Sequence, residues 1–189
     1  IIRDVESLGA TVFDEQREVC LFDGEVLGHI DGCVSGLGDY PEMLLEIKTV
    51  NANTWARFKK NPIKEASVLY YTQMQLYMHC LDLKKALFVV VNKDNEQRYW
   101  TIVDYDEQHV SEQLARLENI ISRPSPHPII GGVDWFACKL CSMHELCHAN
   151  APTKISCRSC RHMGSKSCML GIKAHVDIGC EDAWEDITR

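Results

Sequence analysis

At 189 residues the chain has room for one domain of ordinary size and a small appendage, and is too short for two full enzymatic domains. Hydrophobic residues make up 46% and charged residues 25%, which excludes the intrinsically disordered and fibrous classes. The net charge of −7 argues against a surface coated for nucleic acid, but it is spread unevenly. Residues 1–47 carry eleven acids and two bases, residues 48–66 five bases and one acid, residues 153–175 five bases and no acid, and residues 177–189 five acids and one base. An acidic pocket flanked by basic patches suits a cation site that handles a polyanion; solvated surface lysines are the competing reading. No apolar run reaches the roughly 18 residues that cross a bilayer, and Ile1-Ile2-Arg3-Asp4 lacks the basic and apolar regions of a signal peptide. A soluble, cytoplasmic protein without membrane contact is expected, and because the first residue is Ile1 and not Met, a chain that is either processed or trimmed of N-terminal elements is expected.

In chain order, residues 17–22 and 25–34 are β-like runs joined by Asp23-Gly24, a dipeptide that favours tight hairpins. After a loop with Gly36, Gly38 and Pro41, residues 43–49 form a third strand, on which Leu44, Glu46 and Lys48 share one face and Leu45 and Ile47 the other. Asn51 caps a short basic helix that stops at Asn61-Pro62, and a longer helix runs from Glu65 to Leu81. Residues 86–91 (ALFVVV) read as a central strand, residues 93–96 turn the chain, and residues 97–103 return. A helix follows over residues 106–122, with Val110, Leu114, Leu117 and Ile121 at helical spacing. The fold class is α/β. Pro124, Pro126 and Pro128 with Gly131 and Gly132 mark a boundary, which divides the chain into a core (1–123), a linker (124–137) and a cysteine-rich module (138–189).

Seven of the ten cysteines follow residue 137, in Cys-x-x-Cys pairs beside histidines. This is metal-ligand spacing in a reducing compartment, not a secreted disulfide framework. Cys138, Cys141, Cys147 and His148 make one tetrahedral set, with His144 and His162 as alternatives for its fourth ligand; Cys157, Cys160, Cys168 and Cys180 make a second. Two structural Zn²⁺ sites are expected, because both thiolates of such a knuckle reach one ion and the module has too few large apolar residues for a core of its own. Cys33 and Cys80 are expected in the core, and mid-strand Cys20 as a buried thiol.

Asp31, on the second hairpin strand, and Glu46 and Lys48, on one face of the next, could supply hard oxygen ligands and a cation, the components of metal-assisted phosphodiester hydrolysis. Glu-x-Lys by itself is expected about once by chance in a chain this long. Charges on a strand of leucines and isoleucine are harder to dismiss, since burial without a partner is costly; a surface ion pair is the alternative. Gln73 and Tyr77 lie four apart on one face of the following helix.

Gly-His-Ile-Asp-Gly (28–32), Leu-Glu-Ile-Lys-Thr (45–49), Gln-Met-Gln-Leu-Tyr-Met (73–78) and Val-Asn-Lys-Asp (91–94), in this order, resemble the PD-(D/E)xK nuclease superfamily. The likeness is to its RecB and lambda exonuclease branch, especially phage-encoded members with a cysteine-rich tail. The resemblance implies a restriction-endonuclease-like fold, with a central mixed sheet flanked by helices, and a Mg²⁺- or Mn²⁺-dependent DNA exonuclease of phage recombination or processing. Asp31, Glu46 and the Ile47 carbonyl would hold the catalytic metal, Lys48 would orient water or stabilise the phosphate, and Gln73 and Tyr77 would steady the site, with His29 in support. DNA is the implied partner, and a recombination or single-strand annealing protein and a homo-oligomer are further ones the likeness admits. Members of this branch usually carry an acidic residue on an upstream helix; Glu6 is a candidate substitute here, and a ligand preceding Ile1 is the alternative. Related nucleases also hold a [4Fe-4S] cluster on a Cys-x2-Cys-x5-Cys run with an upstream cysteine, which makes iron, with Cys20, the alternative to zinc at the first set. Two competing functions are a non-catalytic zinc-braced binding module, using Arg158, Arg161 and Lys166 on phosphates, and a structure-selective endonuclease on the same fold.

Overall fold

A computed structural model describes residues 1–122 and 132–149, and the chain divides into two units, Ile1–Arg123 and Pro124–Arg189, each taken by itself below. The second cysteine set, Cys157, Cys160, Cys168 and Cys180, lies outside the described residues, as do His162 and the basic cluster of Arg158, Arg161 and Lys166. Among the described residues no helix is long and apolar enough to cross a membrane.

The first unit is mixed α/β. Its order is α1 (Ile2–Glu6), β1 (Thr11–Phe13), β2 (Glu18–Leu21), β3 (Val26–His29), β4 (Gly32–Ser35), β5 (Met43–Val50), α2 (Ala52–Lys60), α3 (Ile63–Ala66), α4 (Val68–Leu81), β6 (Lys85–Asn92), β7 (Arg98–Asp104) and α5 (Glu107–Ile121). Five strands form a mixed sheet in the order β1-β4-β5-β6-β7, parallel only between β5 and β6, while β2 and β3 form a separate antiparallel ribbon. The parallel pair requires a crossover, supplied by α2, α3 and α4. Strand β6 is buried along nearly its whole length, as its unbroken apolar run demands.

Side-chain alternation splits the core into two layers. Leu44, Phe88, Val90 and Val103 join Phe58, Met74 and Met78 on the helix-covered face. Met43, Leu45, Leu87 and Val89 pack on the other face with Val5 of α1.

The structure departs from the sequence reading at four places. The run 25–34 is two strands, because the chain leaves the ribbon after His29 and enters the main sheet at Gly32, with Ile30 N–H still bonded to Arg17 O at 3.1 Å. The helix expected over 65–81 breaks at Ser67, whose extended backbone (φ −158, ψ 96) and hydroxyl, accepting from Tyr70 N–H at 3.4 Å, make it the N-cap of α4. Two short elements, α1 and β1, carry too few residues to show a period. Cys20 is exposed on β2, whereas Cys33 is 2% exposed in the core, where burial pushes its thiol up to about 11.

Asp106 ties α3, α4 and α5 together. Its carboxylate accepts from Lys64 Nζ at 2.8 Å, Tyr71 OH at 2.8 Å and His109 N–H at 3.0 Å. Gln75, fully buried, accepts from Asp106 N–H at 2.7 Å and donates to Asp104 O at 2.8 Å. The Lys64 ammonium first, then the His109 N–H and the Tyr71 hydroxyl, hold the Asp106 carboxyl well below the usual carboxylate range. A depressed carboxyl adds stability that is complete above its unfolded pKa, about 4, and is withdrawn as pH falls through the folded value. Asp106→Ala is therefore expected to cost about 1–2 kcal/mol at neutral pH, as for a lost N-cap. In urea titrations the gap to wild type should narrow in acid.

Candidate active site

The centre of the site is the carboxyl-terminal half of β5. Pairing between β4 and β5 ends at Gly32 opposite Leu45, so the next amide of β5 facing that side needs another acceptor. Asp31 supplies it: its Oδ2 accepts from Ile47 N–H at 2.7 Å. This bond leaves Oδ1 available and sets Asp31 against the backbone between Glu46 and Lys48. The break in the hairpin strand is thus what turns Asp31 towards β5.

Glu46 and Lys48 leave β5 on the helix-covered face, as alternation requires. Glu46 is 1% exposed; its Oε1 pairs with Lys48 Nζ, and its Oε2 is buried with no hydrogen-bond partner. Burial, opposed by Lys48 and reinforced by the Asp31 charge, holds the Glu46 carboxyl above its ordinary range. Lys48 is raised, because its bonded and charged partners outweigh the desolvation that lowers it. A carboxylate this buried, with one oxygen orphaned, is undercompensated by a single ammonium.

Such a centre fits a hard divalent cation. The donors are carboxylate oxygens, one of them buried without a partner, and an unanswered buried polar atom in a folded protein calls for explanation. Only two carboxylates converge: among the described residues no group of three or more His, Cys, Asp or Glu is placed to hold a metal. Glu6 does not complete the set. It is exposed on α1, whose Val5 packs on the opposite face of the sheet from Glu46, and the neighbouring Asp4 instead pairs with Arg98 at 3.2 Å.

On α4, Gln73 Nε2 donates to Tyr77 OH at 3.0 Å. Both residues line a cleft of about 110 Å³ against the ribbon, with Val19, Gly28 and Cys80. Gly28 is required there by close approach, since a Cβ added to it would lie 2.5 Å from Tyr77 Oη and 2.6 Å from Cε1. Gly28→Ala is expected to cost about 1–3 kcal/mol through overpacking. Denaturant titration should show much of that cost recovered in Gly28→Ala/Tyr77→Ala relative to the sum of the single changes. His29 is exposed, with its Nε2 3.7 Å from Glu18 across the ribbon.

Sequence reasoning missed Tyr70. The Lys48 ammonium lies 5.2 Å from the centre of its ring. The available signal was its place at i, i+3, i+7 with Gln73 and Tyr77, a single helix face.

In the second unit, α6 (Phe136–Lys139) and α7 (His144–His148) carry Cys138 and Cys147, with Cys141 between them. Cys141 N–H donates to Cys138 O at 3.0 Å, and Cys141 Sγ accepts from Met143 N–H at 3.4 Å. His144 Nε2 lies 3.2 Å from Val133 O, whereas His148 Nε2 is buried and, among the described residues, has no partner.

Fold and site together define a mixed α/β domain with a buried acid and amine centre on its middle strand. No family model matches the chain, and no curated protein matches it. Among solved structures it is similar to SSO0001, at 18% identity over 79% of this chain and 68% of that one, with a TM-score of 0.44. It is also similar to the alkaline exonuclease LHK-Exo of Laribacter hongkongensis, at 28% identity over 62% of each chain, TM-score 0.39, and to the same enzyme in complex with dAMP, at 27% identity over 62% of each chain, TM-score 0.38. The chain spans less than two thirds of that exonuclease, and at these scores the site stands on its own geometry.

Proposed function

We propose that this chain is a divalent-metal-dependent DNA exonuclease of the PD-(D/E)xK type, acting in phage DNA recombination or processing. The observation that carries the reading is the bond from Ile47 N–H to Asp31, which sets one acid beside the strand segment bearing the other acid and the amine. The motif resemblance over residues 28–94 points the same way.

Asp31, Glu46 and the Ile47 carbonyl would hold Mg²⁺ or Mn²⁺, which when bound supplies a Lewis acid and a more acidic water for attack on the phosphodiester. The Lys48 ammonium neutralises charge that develops on the phosphate oxygens, at low cost in reorganisation because Glu46 and Tyr70 already hold it. Gln73 and Tyr77 steady the ribbon and, through it, the approach of Asp31. The basic end of α2, with Arg57, Lys59 and Lys60, begins nine residues after Lys48 and would offer phosphate contacts to DNA. Lys59 sits 4.7 Å from the Trp55 ring centre.

The test is incubation of linear and closed-circular DNA with Mn²⁺. Mononucleotide release from the linear form alone supports an exonuclease, nicking of circles supports a structure-selective endonuclease, and binding without cleavage of either supports the non-catalytic module.

Zinc at Cys138, Cys141, Cys147 and His148, and at Cys157, Cys160, Cys168 and Cys180, completes the proposal; it is supported by the ligand spacing in the sequence, since the described members of the first set are not gathered into a metal-holding group. The unpartnered, buried His148 Nε2 favours His148 over His144 as the fourth ligand of the first site. An adjacent histidine suits zinc better than an iron-sulfur cluster.

A further inference from the structure

Lys48 has two holders of different kinds, and only one of them is a charge. Glu46 grips its ammonium as an ion pair, and the face of Tyr70 lies 5.2 Å from it. The Tyr70 ring is not free to swing. It stacks on Phe58 at 6.1 Å with an interplanar angle of 24°, and meets Phe88 at 6.5 Å; Phe58 and Phe88 contact each other edge-on at 5.5 Å. Phe58 is 2% and Phe88 0% exposed, and Phe88 is the register partner of Glu46 on β6. Through that cluster the ring is tied to the strand that neighbours the site. The Ser67 cap breaks the helix three residues earlier and starts α4 afresh, which fixes where Tyr70 enters.

An aromatic face attracts an ammonium through its quadrupole, and it does so without adding a negative charge or accepting a proton. A carboxylate that is committed to a cation holds a lysine less well, whereas a ring does not compete for that cation. We propose that Tyr70 is a positioning residue for Lys48, keeping the ammonium aimed at the reacting phosphate when Glu46 is engaged with a divalent cation. The kinetic consequence rests on the nuclease reading; the contact between ring and ammonium does not.

Two measurements separate these. In protein carrying ¹³C-labelled lysine, the ε-methylene protons of Lys48, assigned by their loss in Lys48→Arg, are expected upfield of the other lysines through the Tyr70 ring current. The displacement should persist in Tyr70→Phe and vanish in Tyr70→Leu. Wild-type signals at the ordinary lysine position overturn the inference, whatever the activity. In Mn²⁺-dependent DNA hydrolysis, Tyr70→Leu is expected to lower kcat roughly tenfold with KM little changed, the scale of one such contact. Tyr70→Phe should restore the rate, and phenylalanines of increasing ring fluorination at position 70, which keep the shape and weaken the π face, should lower it stepwise. Equal kcat for Tyr70→Leu and Tyr70→Phe overturns the positioning role and leaves the nuclease reading intact. Absence of hydrolysis by wild type overturns the nuclease reading and the role with it, while the ring-current shift still reports on the contact.

Discussion

With Mn²⁺ and linear duplex DNA, Glu46→Gln and Lys48→Ala are each expected to lower the hydrolysis rate by about 10³-fold or more, the scale on which electrostatic groups aimed at a transition state act. Glutamine keeps the shape of Glu46 but removes the charge that a hard cation needs, and the buried Oε2 without a partner is the atom whose loss should matter most. Lys48→Ala leaves that carboxylate in place and removes the cation that, on the proposed reading, would face the phosphate. Folding should distinguish the two. Glu46→Gln takes a buried, undercompensated charge out of the core, and the half-buried Lys48 it abandons retains Tyr70, so little stability should be lost. Lys48→Ala strands a nearly fully buried carboxylate and is expected to destabilise the chain by about 3–5 kcal/mol, as when a buried pair loses one member. Rates are read from mononucleotide release and stability from urea midpoints. A wild-type rate in either variant would sink the catalytic assignment.

Removal of zinc should act on the other unit and spare the first. Structural zinc contributes about 10–16 kcal/mol of apparent binding energy to small sites, and the described stretch of the second unit, residues 132–149, has little apolar burial to replace it. In its described stretch Val133, Trp135, Phe136, Leu140 and Met143 are all exposed, Phe136 by 75%. Elemental analysis is expected to give two zinc per chain, falling to one in Cys157→Ser. A strong chelator is expected to raise the protease sensitivity of the chain beyond residue 123 and leave the melting of residues 1–123 largely unchanged. Iron in place of zinc would overturn the assignment of the first site and turn attention to Cys20, which is exposed on β2.

Much of the α/β order was legible because it is local. The Asn51 and Asp106 caps accept from Thr54 N–H and His109 N–H, at the spacing that capping demands. The β6 run reads as buried on both faces and is buried on both. Where local signals compete, spacing is not enough: Ser67 lies within the helical run 65–81, but its hydroxyl offers the backbone an alternative and ends α3. Along the run 25–34 nothing marks the point where a strand stops serving the ribbon and begins serving the sheet.

What the sequence by itself determined is therefore one half of the site: the two-residue period of a strand puts Glu46 and Lys48 on the same face, whatever surrounds them. Tertiary structure alone decided the other half. Asp31 reaches Ile47 because β4 joins the sheet two residues too late to bond that amide, and Tyr70 reaches Lys48 because Phe58 and Phe88 wedge its ring. Tyr77 seats on Gly28 because the ribbon folds onto α4. The physical reason is that covalent geometry sets the direction of side chains within an element, whereas convergence between segments distant in the chain is set by packing, which no short stretch of sequence contains.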